Sequence, residues 1–106
     1  MIYEIRVYEH AEGQADAVLE RFRREVAPRF ADHGIELVGV FSDVATQELT
    51  YLTRFPDEAA RKKGWESFKT DAGWLAAKAA SETDGPLVLK QRATVLNPVM
   101  SGLVIG

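Results

Sequence analysis

Cysteine is absent from the 106 residues, so no disulfide framework, thiol nucleophile or cysteine–zinc site can be built. Histidine is scarce. His10 and His33 are the two present, and they flank the first predicted helix from turns at its opposite ends. About twenty residues of helix at ~1.5 Å rise part them by roughly 30 Å, too far for one metal site within a chain. His33, beside a helix-ending glycine, reads as a surface residue that complements the helix dipole. A basic surplus is missing too: the net charge of −3 leaves no electrostatic footprint for nucleic acid. No stretch approaches the roughly 18 apolar residues of a membrane span, and the chain opens directly into a strand without a basic or apolar leader. A cytoplasmic location is the expectation. Neither GxSxG, a glycine-rich phosphate loop, HExxH nor an EF-hand loop occurs. These absences imply no metal and no cofactor, and apart from Glu4 the carboxylates lie scattered over turns and helix surfaces.

What is present describes one small domain. A hydrophobic fraction of 46% and a charged fraction of 27% suit an ordinary globule with one modest core. Tyr3, Ile5 and Val7 alternate with Glu4, Arg6 and Tyr8, which predicts a strand over 2–8. Ala15, Leu19, Phe22, Val26 and Phe30 then form one apolar stripe of a helix over 13–32, with Glu20–Arg24 and Glu25–Arg29 on its wet side. Pro28 should bend its last turns, and His33-Gly34 should end it. Strands follow over 35–42 and 49–55. Asp57 caps a helix bearing Trp65 and Phe68, with Gly64 as its weak spot, and Thr70-Asp71 caps a shorter alanine-rich helix over 72–82. A last strand spans 87–96.

The order β-α-β-β-α-β predicts an α+β, ferredoxin-like domain over 1–98, a four-stranded antiparallel sheet with both helices on one face. An apolar tail, 99–106, follows, and its Leu103, Val104 and Ile105 are expected to dock on a hydrophobic surface. The sheet's other face is expected to carry Ile2, Val38, Val40, Leu52, Val88 and Leu96, with Glu4, Arg6, Arg54, Lys90 and Arg92 among them. An apolar face of that kind marks an association site, so a homodimer is predicted, with Glu4 and Arg6 as an interface ion pair. Tyr3 and Tyr51 are assigned to the helix side, among Phe22, Phe30, Trp65, Phe68 and Trp74. These rings make either a filled core or a partly open pocket for a small apolar molecule, where a phenol could orient a ligand or move a proton.

Several segments together resemble the NIPSNAP family: YEIRVY at 3–8, Pro28 with His33-Gly34-Ile35, LVGVF at 37–41, LTRF at 52–55, and Asp57, Ala59, Arg61, Trp65, Phe68, Asp71 and Trp74 in order. The likeness runs nearly to Pro98. It implies a dimeric α+β barrel, in a superfamily with antibiotic-biosynthesis monooxygenases and stress-responsive A/B-barrel proteins. The chain departs from many relatives at Tyr51 and Thr53, where they carry a histidine and then a tryptophan. In the related barrels substrates and haem occupy the space between sheet and helices. Here that space implies a ligand site of Tyr3, Phe22, Tyr51, Thr53, Trp65, Phe68 and Trp74, with Tyr3 and Tyr51 as catalytic candidates. Neither histidine stands where an axial haem ligand is expected. Two functions remain open: a metal-free enzyme or binding protein for a small apolar or aromatic molecule, and a non-catalytic homodimeric interaction module with a filled core.

Overall fold

The computed structural model describes residues 1–100. Strands β1 (Ile2–His10), β2 (Glu36–Ser42), β3 (Leu49–Phe55) and β4 (Val88–Leu96) form one sheet in the order β2-β3-β1-β4, each neighbouring pair antiparallel. This is the ferredoxin-like α+β arrangement. A helical rod, α1 (15–33), leads from β1 to β2. Helices α2 (Glu58–Lys69) and α3 (Ala72–Ser81) lead from β3 to β4. Leu103, Val104 and Ile105 lie outside the described residues.

The rod α1 is not uniform. Ala15–Arg21 is α-helix, Phe22–Val26 a π turn, Ala27–Phe30 α-helix again, and Ala31–His33 a 3₁₀ turn. The buried stripe is Val18, Phe22, Val26 and Phe30, each at most 2% exposed, whereas Ala15 and Leu19 are only partly covered. Steps of four overshoot an α-helical turn of 3.6 residues by about 40° each, so such a stripe drifts around the rod. The wider π turn offsets that drift, and Ala27 N–H accordingly reaches back to the Phe22 carbonyl. Pro28 contributes no N–H to the rod, and beside it the Arg29 guanidinium donates to the Glu25 carbonyl at 2.7 Å. The rod's departure from α-helix thus lies just before the proline, in the π turn Phe22–Val26. Gly34, at φ 69°, closes the rod, and Ile35 N–H returns to the Phe30 carbonyl at 3.0 Å.

The N-caps fall where the side-chain chemistry placed them. Asp57 accepts from Ala60 N–H at 2.8 Å, and Asp71 from Trp74 N–H at 2.8 Å. Gly64 is a site of close approach: a Cβ there would stand 2.9 Å from the His33 carbonyl oxygen. That is why a poor helix former sits in mid-helix.

Strand register corrects several facings. Leu49, Tyr51, Thr53 and Phe55 of β3 are buried under the helices, and they pair with Tyr8, Arg6, Glu4 and Ile2 of β1. The even positions of β1 therefore face the helices, and Tyr3, Ile5 and Val7 face the other way. Tyr3 does not lie on the helix side as expected; it pairs with Arg54 and Leu96 on the open face. Glu4 and Arg6 are not on that open face, and Ile2 and Val88 pack instead against the core. In β2 the register shifts between Leu37 and Gly39, which reverses the alternation beyond it. Val40 thus joins Tyr51 on the helix side, while Phe41 pairs with Thr50 on the open face and is 60% exposed. The open face carries Tyr3, Ile5, Val7, Phe41, Leu52 and Leu96, flanked by the ion pairs Glu36–Arg54 and Glu9–Arg92.

Candidate functional site

One side of the helix-facing layer is filled and the other is open. Phe22, Phe30, Tyr51 and Phe55 interlock with ring centroids 4.8–6.4 Å from their aromatic neighbours, leaving a solid core over β3. Toward β4 the helices stop short. Gln91, Ala93 and Val95 point to the helix side, opposite Tyr8, Arg6 and Glu4, yet remain exposed. Between this uncovered edge and the helices lies a cavity of about 260 Å³ walled by Arg6, Tyr8, Trp65, Phe68, Trp74 and Gln91.

Each wall follows from local structure. Arg61, Trp65 and Phe68 succeed one another at steps of four and three along α2, so one helix face presents all of them. The Asp71 cap fixes the start of α3 and thereby Trp74, which stacks on Phe68 at 5.6 Å with 23° between the rings. The floor is a charge network around Glu4, which is fully buried. Its carboxylate accepts from Arg6 Nε at 2.5 Å, from Arg61 Nη1 at 2.8 Å and from Trp65 Nε1 at 3.1 Å. Arg61 is shared with Glu58 at 2.6 Å. The Arg6 guanidinium lies 3.7 Å from the Trp65 ring centroid and donates to Gln91 Oε1 at 3.3 Å. Glu4 and Arg6 were expected as an interface pair; they are the scaffold of the cavity instead. A carboxylate held by three donors and closed off from solvent in this way is a fixed counter-charge, out of reach of a substrate.

Behind the cavity stand two phenols. Tyr8 and Tyr51 hydroxyls lie 2.7 Å apart. Burial pushes the Tyr8 phenol above its ordinary value of 10.0, against the lowering effects of the Tyr51 hydrogen bond and the Arg6 charge. Burial, with the field and hydrogen bond of Tyr8, raises Tyr51 further still. Both are neutral hydroxyls at physiological pH. Tyr51 is wholly buried and meets no other acceptor among the described residues, so its proton goes to Tyr8. Tyr8 borders the cavity and is left with a proton to donate there.

The expected site residues therefore separate. Trp65, Phe68 and Trp74 meet in the cavity wall. Phe22, Tyr51 and Thr53 lie in the packed core, Thr53 donating to the Glu4 carbonyl at 3.2 Å. Tyr3 is on the opposite face of the sheet. Arg6, Tyr8 and Gln91 were not foreseen. The signal available was pairing: an inward Tyr51 brings its register partner Arg6 inward, and with it Glu4 and Tyr8.

The histidines stand elsewhere. His10 is the last residue of β1 and not part of a turn. His33 Nδ1 meets Ser67 Oγ at 2.5 Å and Nε2 meets Asp71 Oδ2 at 2.8 Å, tying the end of α1 to α2 and α3. Asp71 is held below the usual carboxylate value by the Trp74 N–H first and by His33 second. Among the described residues no cluster of His, Asp and Glu is placed to hold a metal ion. No helix among them is long and apolar enough to cross a membrane. A larger concavity, about 490 Å³, runs between α1 and α3; it is an open groove floored by Ala17, Ala77 and Ala80 and rimmed by charged side chains of both signs, among them Glu20, Arg21 and Arg24.

The sequence matches the model of the NIPSNAP family over residues 3–101. A NIPSNAP family protein with unknown function from Agrobacterium tumefaciens shares 26% identity and superposes with a TM-score of 0.80, covering 98% of this chain and 94% of its own. An uncharacterized NIPSNAP domain protein from Burkholderia xenovorans is 17% identical with a TM-score of 0.79, each chain covered 100%. A protein from Nitrosomonas europaea, provisionally described as an antibiotic biosynthesis monooxygenase, is 11% identical with a TM-score of 0.65, covering 94% of this chain and 100% of its own. None of the curated proteins matches the chain.

Proposed function

The chain belongs to the NIPSNAP family, and from that premise we propose that it pairs through its open sheet face and holds a small aromatic or apolar molecule in the cavity between β1, α2 and α3. The observation that carries this reading is the wall of Trp65, Phe68 and Trp74 facing the preset polar groups of Arg6, Tyr8 and Gln91. Apolar walls with a few fixed polar groups are the usual anatomy of a ligand site. A volume of about 260 Å³ suits a molecule of one ring or two. Tyr8, a neutral donor backed by Tyr51, can hydrogen-bond a carbonyl of the bound molecule. The Nitrosomonas europaea protein shares the fold with this chain, and its described reaction is not carried over.

Pairing is supported by the open face itself. Tyr3, Ile5, Val7, Leu52 and Leu96 form an apolar field with ion pairs at its sides, the anatomy of an association surface. Leu52→Lys is expected to give a folded monomer by light scattering; a dimer unchanged by it would remove this face from the interface.

The cavity is tested by titrating the protein with phenylacetamide while following the emission of Trp65 and Trp74, the two tryptophans of the chain. A saturable change, weakened in Trp74→Ala, is expected. A flat response up to the solubility of the probe would leave the cavity without a ligand role.

A further inference from the structure

Resting on that reading, we infer that the cavity is an anion site: its occupant carries a carboxylate, or a comparable oxyanion, on an aromatic ring. The charged side chains that line the cavity have one sign. The chain as a whole is acidic, with a net charge of −3. Yet the charged side chains lining this cavity are Arg6, Lys69 and Lys78, without a carboxylate among them.

Nor is that positive charge cancelled in full nearby. Glu4 and Glu58 together balance Arg6 and Arg61, which leaves the surplus to the lysines. Glu82 is shared between Arg21 at 2.7 Å and Lys78 at 3.7 Å. Lys69 has no ion-pair partner among the described residues. Low-dielectric walls focus such a surplus toward the concavity.

Arg6 is also held for the task. Its Nε is fixed by Glu4, its Nη1 by Gln91 and its plane by Trp65. Its Nη2 makes no hydrogen bond among the described residues and is not buried. A guanidinium held at Nε and Nη1, with Nη2 left to donate, is pre-organised for an oxyanion, because its ordering is complete before the ligand arrives. The stacked Phe68–Trp74 pair offers the ring a flat wall at the same cavity. Glu4 is thus a positioning residue: it sets Arg6 and Trp65 while remaining out of reach itself.

The test uses the intact protein and three single-ring probes of nearly one shape: phenylacetate, phenylacetamide and phenethylamine. Trp65 and Trp74 emission reports occupancy. Phenylacetate is expected to bind about tenfold tighter than the amide, the worth of a charge-assisted contact, and phenethylamine weakest. The preference should shrink with added salt and vanish in Arg6→Gln. Should Arg6→Gln fail to fold, the surface double variant Lys69→Gln with Lys78→Gln is expected to cut the preference by about threefold. Equal binding of acid and amide, or tighter binding of the amine, overturns the anion assignment while leaving the cavity a ligand site. A preference unmoved by salt and by the folded double variant overturns it as well. Silence from all three probes overturns both readings.

Discussion

Glu4→Gln isolates the network beneath the cavity. The substitution keeps shape and volume but replaces one carboxylate oxygen by an amide NH₂. Glutamine retains one acceptor, enough for the Arg61 and Trp65 donors that meet at Oε1. Its nitrogen then stands where Oε2 received Arg6 Nε at 2.5 Å, donor against donor. One charge-assisted bond is lost, and two guanidiniums lose their shared counter-charge. Stripping a buried pair of one partner costs about 3–5 kcal/mol. Arg6 and Arg61 keep 17% and 18% of their side-chain surface in water, which softens the penalty. About 2–4 kcal/mol is therefore expected, a large share of the stability of a domain this size. In a melt followed by circular dichroism the midpoint should fall by about 10–20 °C. The near-ultraviolet signal should weaken as well, since Trp65 loses its anchor. A variant melting within about 2 °C of the parent would show that Glu4 is not the keystone of the floor.

Other perturbations discriminate as sharply. Gly64→Ala should lower stability by about 1–2 kcal/mol in urea titrations, because the clash with the His33 backbone oxygen outweighs the gain in helix propensity. Gly73→Ala meets instead the movable Arg29 guanidinium and should be neutral or stabilising by up to about 1 kcal/mol; the reverse order of these two would discredit the packing argument. Pro28→Ala should change stability by less than about 1 kcal/mol, whereas a gain near 3 kcal/mol would mean that the π turn does not relieve the proline. The folded-state values of Tyr8 and Tyr51 lie above the ordinary 10.0, so the folded chain holds their protons longer than the unfolded one. Their contribution is intact below pH 10.0 and declines as pH rises past it. Tyrosinate absorbance should accordingly appear together with unfolding; ionisation of both phenols at ordinary pH with the fold intact would refute this.

Local chemistry was legible in the sequence. Asp57 and Asp71 as caps and His33-Gly34 as a stop depend on neighbours within a few residues, and they stand as read. Trp65, Phe68 and Trp74 were found because large rings on a helix face have few other uses. Facing was harder. In β1 the odd positions are the more apolar, and the rule that apolar side chains point inward chose them. That rule presumes one buried face, and here the even face hides Glu4 by means of Arg61 and Trp65, 57 and 61 residues away. No local pattern announces such partners. In β2 a single shifted residue inverted the alternation, which is invisible to any strict period of two. The repeated step of four in α1 was a readable mark of the π turn, since it fits an α-helix poorly.

The shift in β2 also bears on how copies of this chain can accumulate. A sheet can grow without limit only if both of its margins accept a new strand. Here β2 and β4 are the margins. The irregularity at Leu37–Gly39 interrupts the regular pairing of one of them, the kind of break that bends and twists an edge strand. The other runs nine residues from Val88 to Leu96, and its irregular pairing lies at its start, beside His10. A ribbon with one serviceable margin can join a second like itself, margin to margin, and there the joining ends. Edge-wise association of this fold is in that sense self-terminating: it permits a pair and withholds a fibre.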